Sequence, residues 1–454
     1  MRSLIVPQRS LFDRAIYVLL RICKPNKTLR AMDRIIDTNP DIVKAVQADL
    51  NRGLRAHGRK GMSAERVLRS AILKQWKSYS YRDLRDHINE SVAYRWFTRF
   101  LSDTIPHFTK FQEAIKVIGS DTWKGINDIL VEYAKDNKLE NGKYLRKDTT
   151  VVESNIAYPV DARLLWDSIR VLTRIMGSCR EILPEMRFGF AKRTRRAKKR
   201  CYAIVMAKGP KAKGMRQKNY KDLLKVTKEV VHMAHSCQEQ LQGSSRIESI
   251  AFSASLEHYL SLAQKTINQC ERRVLRGEKV SASEKIVSIF EEHTDIIKRG
   301  KSQSPTEFGH KILIGTGKSG LITQYEIFRG NPSDESMLSE ILVRHIQQYG
   351  QAPDKLCGDR RFFSTANEDL AYETGVKKVC ISKPGYRSKA RRQMEKENWF
   401  KKGLRFRAGI EGIISALMRS YGLKRCFWEG WESFQSYVGL SVVTFNLQKI
   451  AALI

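Results

Sequence analysis

The sequence predicts a fold of the α+β or α/β class, in which short strands and helices alternate after a helical N-terminal region. Residues 1–140 are predicted to be helical, and their apolar positions at helical spacing are clearest in residues 62–102. Residues 143–158 are rich in Val, Thr and Tyr, which is typical of a strand. A long helical stretch from about 161 to 300 follows, and strand patterns return in residues 310–382.

The N-terminal region is predicted to be a series of short basic helices. Ser63 is well placed to cap the helix that begins the apolar run, because a Ser hydroxyl can accept a hydrogen bond from a backbone N–H of the first helical turn. Such a series is typical of a helix-turn-helix-like module that contacts DNA. The alternative is a helical packing domain whose basic face is only solvated.

The central helical stretch contains the densest basic block of the chain, at residues 191–200. Gly209, Pro210 and Gly214 follow the block and indicate a loop between two helices. A polar linker over residues 298–309 ends the region. The basic block is expected to contact DNA phosphates, since runs of Lys and Arg lack the Asn or Gln that pair with adenine. The alternative is a solvated helix whose charge serves only solubility.

Strand and helix patterns alternate over the C-terminal part of the chain. Residues 310–316 and 321–330 flank the turn sequence GKSG and predict a β-hairpin. The elements predicted next are a helix over 334–350, a short strand over 354–359, a helix over 364–375, a short strand over 376–382, a basic loop over 383–397 and two C-terminal helical stretches. The GKSG turn lacks the first Gly of a phosphate-binding P-loop and lies between strands, so no nucleotide site is predicted there.

Composition favours a polyanionic partner. The 454 residues include 82 Lys and Arg against 48 Asp and Glu, which gives a formal net charge of +34. A folded protein tolerates self-repulsion of this size when it binds a polyanion, so nucleic acid is the expected partner. A ribosome-associated protein and a surface for anionic lipid are the alternatives.

Cysteine spacing and the N-terminal residues indicate a cytoplasmic protein. None of the eight cysteines belongs to a CxxC pair, and His232 and His235 have no Cys or carboxylate pattern beside them, so no zinc site is predicted. Scattered cysteines fit a reducing compartment. Arg14 and Arg21 interrupt the apolar N-terminal residues, and no apolar run reaches the length of about 18 residues that a membrane helix needs.

Three carboxylates have distinctive positions in a chain that is poor in acids. Asp148 lies in the first predicted strand, Asp359 ends a short strand, and Glu411 lies on a helix. Carboxylates from separate elements can hold divalent ions for phosphoryl transfer. Mg²⁺ prefers oxygen ligands, and two ions roughly 3.5–4 Å apart can stabilise both the attacking and the leaving oxygen. We therefore expect these acids to form a metal site.

Helical spacing defines two stripes around Glu411, and Glu411 itself shares one of them with Arg407, Ser415 and Met418. The stripe expected to face the core consists of Ile410, Ile414, Leu417 and Tyr421. Arg407 precedes Glu411 by one helical turn, so the two side chains can touch. Taken alone, this pair could be a surface ion pair worth a few tenths of a kcal/mol.

Taken together, these motifs resemble the DDE transposases of bacterial insertion sequences, especially the ISNCY group and its IS-five-like relatives. KDTTVVESNIAYPVDARLLWDS (147–168) resembles the first-Asp block of that group, and GDRRFFS (358–364) resembles its second-Asp block. EFGHKILIGT (307–316) resembles the strand that resumes the catalytic core. RAGIEGIISALMRSYGLKR (407–425) resembles the third-acid block, including its Arg-x₃-Glu spacing. The resemblance covers most of the chain.

The resemblance implies an RNase H-like catalytic core, which is a mixed sheet flanked by helices in which the three acids meet. The implied organisation is a helical N-terminal DNA-binding domain over 1–140, the first strand of the core within 141–160, a helical basic insertion over 161–305, and the remainder of the core with the C-terminal helices over 306–454. Few positions separate Asp359 from Glu411, so the large insertion must follow the first strand.

The resemblance also implies a function. A DDE transposase binds the terminal inverted repeats of its element, cleaves phosphodiester bonds and joins 3′ ends to target DNA. Asp148, Asp359 and Glu411 would be the catalytic residues and would hold two Mg²⁺ ions, for which Mn²⁺ could substitute. The expected partner is double-stranded DNA, bound by a homodimer or larger assembly at the bacterial nucleoid, without membrane association.

A set of basic residues is expected to bind DNA. Arg407 would orient Glu411 or hold a phosphate, and the insertion and the loop after residue 383 would grip the DNA backbone. The complete set is Arg407, Arg419, Lys192, Arg193, Arg195, Arg196, Lys198, Lys199, Arg200, Arg387, Arg391 and Arg392.

Two positions depart from the pattern of the wider family. Met418 stands where the family often has Lys, with Arg419 beside it, and Leu404 stands where a Tyr precedes the Arg. Both positions usually assist DNA contacts rather than metal chemistry. The copy could be less active, or Arg419 could substitute for the Lys. The alternatives to an active transposase are a decayed transposase that acts as a DNA-binding repressor, which Met418 favours, and a nuclease with an RNase H fold.

Overall fold

The computed structural model describes residues 2–4, 11–22, 25–52, 61–298 and 306–454. Cys23 and most of the predicted linker at 298–309 lie outside these ranges. The chain divides into two compact units. The first contains Met1–Asn155 and Gly309–Ile454, and the second contains Ile156–Phe308.

Helices form the first unit up to its first strand. They are α1 (Leu11–Ile22), α2 (Lys27–Thr38), α3 (Pro40–Asn51), α4 (Ala64–Lys77), α5 (Tyr81–Glu90), α6 (Val92–Phe97), α7 (Phe108–Lys116) and α8 (Ser120–Asp136). Ser63 caps α4 as predicted, because its Oγ accepts the N–H of Arg66 at 3.3 Å. Ser80 and Asp83 form a reciprocal capping box at the start of α5. Repeated capping residues thus divide this region into short helices.

The second unit is a set of long helices with its own apolar core. Its helices are α9 (Asp161–Ile182), α10 (Thr194–Met206), α11 (Ala212–Leu241) and α12 (Ile247–Cys270). The predicted helical stretch extends to about residue 300, but the helical turns end at Leu275. Gly277 follows with a φ of 72°, a left-handed conformation that stops a helix. Gly214, predicted as a loop residue, lies inside α11.

The strands form a mixed sheet. They are β1 (Tyr144–Glu153), β2 (Asp295–Lys298), β3 (Thr306–Thr316), β4 (Ile322–Phe328), β5 (Lys355–Cys357) and β6 (Lys378–Cys380). β1 pairs antiparallel with β3 and parallel with β5, while β4 pairs antiparallel with β3 and β6 pairs parallel with β5. The predicted hairpin is confirmed as β3 and β4. A mixed sheet with flanking helices agrees with the predicted α+β class.

The remaining helices belong to the first unit. They are α13 (Leu338–Tyr349), α14 (Thr365–Glu373), α15 (Lys389–Lys396), α16 (Asn398–Ser420) and α17 (Trp431–Leu453). The loop predicted over residues 383–397 is wrong in its second half, where α15 forms. Ser388 starts this helix by accepting the N–H of Arg391 at 3.2 Å. α15 has no buried residue, so no apolar periodicity indicates it in the sequence.

The C-terminal helix α17 joins the sheet to the N-terminal helices. It is buried along most of its length and shares one apolar core with α2, α4 and α8. Asn446 adds polar links at the same depth, since its amide donates to Asn127 Oδ1 at 2.7 Å and to the Ile322 carbonyl at 2.8 Å. The N-terminal helices therefore share a core with the sheet. Among the described helices, none combines the length and the apolar surface of a bilayer-spanning segment.

Candidate active site

Asp148 lies near the middle of β1, where strand geometry sets the direction of its side chain. Successive side chains of a strand point to opposite faces, so Arg146 and Asp148 share one face and Lys147 and Thr149 share the other. The first face packs on α16, because Arg146 Nη1 donates to the Phe406 carbonyl at 2.7 Å. The N–H of Thr149 donates to Asp148 Oδ1 at 2.8 Å and orients the carboxylate, which is 16 % exposed.

Asp359 is brought beside Asp148 by the parallel pairing of β1 and β5. Arg146 lies opposite Cys357 in this pairing, and each aspartate follows two residues later in its own segment. Asp359 also caps a short 3₁₀ turn, since its Oδ1 accepts the N–H of Arg360 at 2.7 Å. The strand end at Asp359 is visible in the sequence, but the identity of the neighbouring strand depends on tertiary pairing.

Glu411 is positioned by the close approach of α16 to the sheet, which two glycines permit. A Cβ at Gly403 would lie 2.2 Å from Cys380 Sγ, and a Cβ at Gly409 would lie 2.4 Å from Arg146 Nη1. The stripe predicted to face the core is buried or half-buried, which fixes the rotation of the helix. Glu411 lies next to that stripe, with 64 % of its side chain exposed.

The three acids meet at Arg407. Its Nη1 lies 2.9 Å from Glu411 Oε1, which confirms the contact predicted from helical spacing. Its Nη2 lies 3.7 Å from Asp148 Oδ2 and 3.6 Å from Asp359 Oδ1. One guanidinium thus faces carboxylates from β1, from the end of β5 and from α16. Sequence analysis missed the two aspartate contacts, because no local spacing links these residues to Arg407.

The opposite face of β1 carries a buried polar patch that sequence analysis also missed. Lys147 is fully buried there, and burial holds the pKa of its ammonium group well below its usual range. Its Nζ lies 4.3 Å from the centroid of the Phe362 ring. Asp334 accepts a hydrogen bond from Thr149 Oγ1 at 3.2 Å and pairs with Lys311 Nζ at 2.5 Å. These contacts hold β1 and the turn after β5 in place from the face of the sheet opposite to Asp148.

The donor chemistry of the acid site suits a hard divalent cation. Its three carboxylates offer only oxygen atoms, which are the ligands that Mg²⁺ takes in proteins. Within the described ranges, no three His, Cys, Asp or Glu side chains are grouped closely enough to form a metal site by themselves. The three carboxylates are grouped around Arg407 instead.

The basic residues at α10 divide into a paired set, which includes the exposed Arg193 and Arg196, and an exposed set that forms no ion pair within the described ranges. Arg196 and Arg200 both bind Asp222 of α11, and Arg193 Nε lies 3.5 Å from Glu229 Oε2. The exposed set consists of Lys192, Arg195, Lys198 and Lys199. The division arises because the opposite side of α10 is buried against the second unit's own helices.

The arginines after β6 are engaged within the protein. Arg391 is 10 % exposed, and its guanidinium lies 2.9 Å from Glu395 and 2.5 Å from Glu368. Arg387 Nη1 donates to Glu395 at 2.9 Å, and Arg392 Nε donates to the Arg387 carbonyl at 3.0 Å. These contacts favour a structural role for Arg391, and its contact with DNA stays a prediction.

The remaining residue that is predicted to bind DNA lies on α16. Arg419 is exposed near the end of the helix, where its Nε lies 3.4 Å from the Ser415 carbonyl. Met418 and Leu404, the two positions that depart from the family pattern, are half-buried on the same helix. Arg419 is therefore accessible to a ligand, whereas Met418 beside it is partly packed.

Fold and site together fit a phosphoryl-transfer protein, and two family models match parts of the chain. A family model described as transposase domain (DUF772) matches residues 18–116, and one described as transposase DDE domain matches residues 372–451. The second match contains Arg407 and Glu411. These matches support a DDE transposase of an insertion sequence and confirm the predicted family, while the assignment to the ISNCY group stays a prediction.

The DDE domain implies a metal-dependent enzyme that processes nucleic acid. Asp148 and Asp359 lie outside the matched residues, so their place in the site comes from the sheet geometry alone. Comparison with curated proteins and with solved structures gave no match.

Proposed function

We propose that the chain is a transposase with an RNase H-like core. It binds the terminal inverted repeats of its own element, cleaves a phosphodiester bond at each end and joins the freed 3′ ends to target DNA. Asp148, Asp359 and Glu411 are its catalytic carboxylates. The observation that carries this proposal is the convergence of these three side chains, from three separate elements, on Arg407.

The sheet supports the proposed core. β1 is its central strand, with an antiparallel neighbour on one side and a parallel neighbour on the other. The parallel pairing brings two aspartates to one edge, and α16 crosses that edge with the third acid. A site built on strands and a long helix holds its groups more firmly than a site built on loops.

The three carboxylates would hold the metal. When bound, two Mg²⁺ ions supply an activated water or 3′ hydroxyl and stabilise the leaving oxygen. Backbone N–H groups orient Asp148 and Asp359, and Glu411 is the most exposed of the three acids. Arg407 orients Glu411 through their 2.9 Å hydrogen bond, or binds the phosphate that is cut.

Exposed cations outside the acid site would hold the DNA backbone. They include Lys192, Arg195, Lys198 and Lys199 at α10, together with Arg392 and Arg419. The net charge of +34 supports this part of the proposal, because Lys and Arg that neutralise phosphates release counterions and drive binding.

Isosteric amide variants test the catalytic assignment. The inverted repeats for the substrate can be read from the DNA that flanks the gene. Asp148→Asn, Asp359→Asn and Glu411→Gln should each abolish cleavage of a plasmid that carries two element ends, because metal ligands act as a unit. Binding to a labelled element end in a gel-shift assay should stay close to wild type.

Asp354→Asn is the matched control, since Asp354 lies one residue before β5 and pairs with exposed Lys377. Near-normal cleavage by Asp359→Asn would remove that residue from the site. A wild-type protein that binds ends without cutting them would be the repressor, and one that cuts without joining would be the nuclease.

The metal is tested separately. Cleavage should need Mg²⁺ or Mn²⁺ and fail with Ca²⁺, because Ca²⁺ takes longer and looser coordination. The assay is cleavage of the same plasmid after removal of metal and addition of each ion. Full cleavage in the presence of a chelator would contradict the two-metal proposal.

A further inference from the structure

The loop after β6 carries an exposed aromatic residue and leaves the sheet at the edge where Asp359 lies. β5 and β6 are parallel, with Cys357 opposite Cys380, so the chain leaves both strands at the same edge of the sheet. Asp359 follows β5 at this edge. Tyr386 lies in the loop that follows β6, and 82 % of its side chain is exposed.

This loop packs against the segment that contains Asp359. The Phe363 ring, which follows the 3₁₀ turn, has Lys383 Nζ 5.9 Å from its centroid. One residue before Asp359, a Cβ at Gly358 would lie 3.5 Å from Ile381 Cδ1. Contacts on both sides of Asp359 therefore hold the β6 loop beside it.

A largely buried carboxylate binds the chain on both sides of Tyr386, through a backbone N–H before it and a side chain after it. Glu395 accepts the N–H of Lys383 at 3.0 Å and a hydrogen bond from Arg387 at 2.9 Å, and its side chain is 9 % exposed. Burial opposes ionisation of Glu395, but the hydrogen bonds from Lys383 and Arg391 keep its pKa below the usual range. The loop is thus preorganised, which reduces the entropy lost when the tyrosine ring is ordered against a ligand.

The neighbours of Tyr386 are cations. Lys389 and Arg392 are exposed on the first turns of α15, and Arg387 is partly exposed. Proteins bind unpaired nucleic-acid strands by combining cations, which hold the phosphates, with aromatic rings on which bases stack. A base inside a duplex is already stacked on both faces and has no face left for a protein ring. A base that stacks on Tyr386 must therefore have left the duplex.

We propose that Tyr386 is a stacking platform for the base of an unpaired nucleotide in the strand next to the bond that is cut. This inference rests on the proposed function, since it names a contact of the same substrate. The ring positions the strand and takes no part in the chemistry at the three carboxylates. A second protein, including another copy of this chain, is the other occupant that the test must distinguish.

Binding to two DNA probes tests the platform. Both probes are labelled duplexes that carry one element end, one blunt and one with a short 3′ oligo(dT) tail, and affinity is measured by fluorescence anisotropy. Wild type should prefer the tailed probe. Tyr386→Ala should weaken binding to the tailed probe by roughly 5- to 150-fold and leave the blunt probe nearly unchanged. Tyr386→Phe, which keeps the ring, should bind both probes like wild type.

Tyr158→Ala is the matched control, because Tyr158 is 73 % exposed and belongs to the second unit. It should keep the preference for the tailed probe. A second readout uses 5-iodo-2′-deoxyuridine in the tail, which should crosslink under ultraviolet light to the peptide that contains Tyr386.

The outcomes separate this inference from the proposed function. Wild type that binds neither probe overturns the proposed function and the platform with it. Wild type that binds both probes without preferring the tail, or Tyr386→Ala that keeps the preference and the crosslink, overturns the platform alone. A change in oligomeric state for Tyr386→Ala, with unchanged DNA binding, assigns the ring to a protein interface and also overturns it.

Discussion

Two clusters of the first unit each gather three carboxylates around arginine, one inside the helical region and the other at the sheet edge. Arg69 of α4 is fully buried and lies 2.6 Å from Asp33, 2.5 Å from Asp37 and 3.0 Å from Glu65. Arg99 lies about as close to the same three acids, so this cluster contains two cations. Each of its carboxylates has charged partners at hydrogen-bond distance.

At the sheet edge, Arg407 faces three acids and two of its contacts are loose. Arg407 Nη2 lies 3.7 Å from Asp148 and 3.6 Å from Asp359, which is beyond hydrogen-bond distance. The exposure of Glu411 leaves its carboxylate oxygens accessible to a further cation. The same residue types thus build a structural cluster in one place and a candidate metal site in the other. Burial and the closeness of the contacts make the difference.

The largest effect on stability is expected at the buried cluster. Arg69→Met should lower the free energy of unfolding by about 3–5 kcal/mol, because buried carboxylates lose one of their partners. Chemical denaturation followed by tryptophan fluorescence measures the change. Arg85→Met, which removes an exposed pair with Asp86, is the control and should change the value by less than about 1 kcal/mol. An equally small change for Arg69→Met would mean that Arg99 alone satisfies the acids.

At the sheet edge, we expect a substitution to reduce activity and to leave stability nearly unchanged. Arg407→Gln should slow the cleavage of element ends about 100-fold, the size expected when one group that orients or stabilises reacting charge is removed. Its free energy of unfolding should change by less than about 1 kcal/mol, because the lost contacts are loose or exposed. Single-turnover cleavage and denaturation of the same protein measure the two effects.

Arg405→Gln, at an exposed position on the same helix, is the control and should cleave like wild type. If Arg407→Gln lost as much stability as Arg69→Met, both clusters would be structural. The assignment of the sheet-edge cluster to catalysis would then lose its support.

The two clusters also show what the sequence could and could not predict. Asp148, Asp359 and Glu411 could be chosen because strand composition, a strand end and helical spacing are local patterns. The pairing of Arg69 with Asp33 could not, because it joins α2 to α4, and helix packing leaves no local signal. The helix α15 is hidden in the sequence for a different reason. It has no buried face, so its apolar residues do not recur at helical spacing.

At the basic helix α10 the numbers are reversed, because one acid of α11 lies between two cations of α10. Asp222 binds Arg196 and Arg200, which leaves other cations exposed. The exposed residues to replace together by Gln are Lys192, Arg195, Lys198 and Lys199. Their loss should weaken binding to all DNA sequences alike. It should also lower the slope of log affinity against log salt by up to about 0.9 per lost phosphate contact.

Anisotropy titrations over a range of salt concentrations measure this slope. The matched control is the double replacement Arg196→Gln and Arg200→Gln, which removes two cations already paired with Asp222 and should change the slope less. An unchanged slope, combined with a loss of preference for the element's own ends, would contradict the phosphate assignment and make α10 a specificity element.

The smallest effect is expected from the pH dependence of the buried cluster. Burial raises the pKa of Asp33, and the nearby Arg69 and Arg99 offset that rise only in part. A carboxyl group with a raised folded-state pKa binds protons more readily in the folded chain than in the unfolded chain. Its contribution to the free energy of unfolding therefore falls as pH increases from the ordinary value of 3.8 through the folded-state value.

Asp33→Asn should remove this contribution, so its free energy of unfolding should decline less steeply than that of wild type as pH rises above 3.8. The difference in slope is at most about 1.4 kcal/mol per pH unit, the limit for one proton. Denaturation at a series of pH values measures both slopes, and comparing slopes removes the constant effect of the substitution. A steeper decline for Asp33→Asn would mean that the two arginines outweigh burial. Ionised Asp33 would then raise the free energy of unfolding through its contacts with the two arginines.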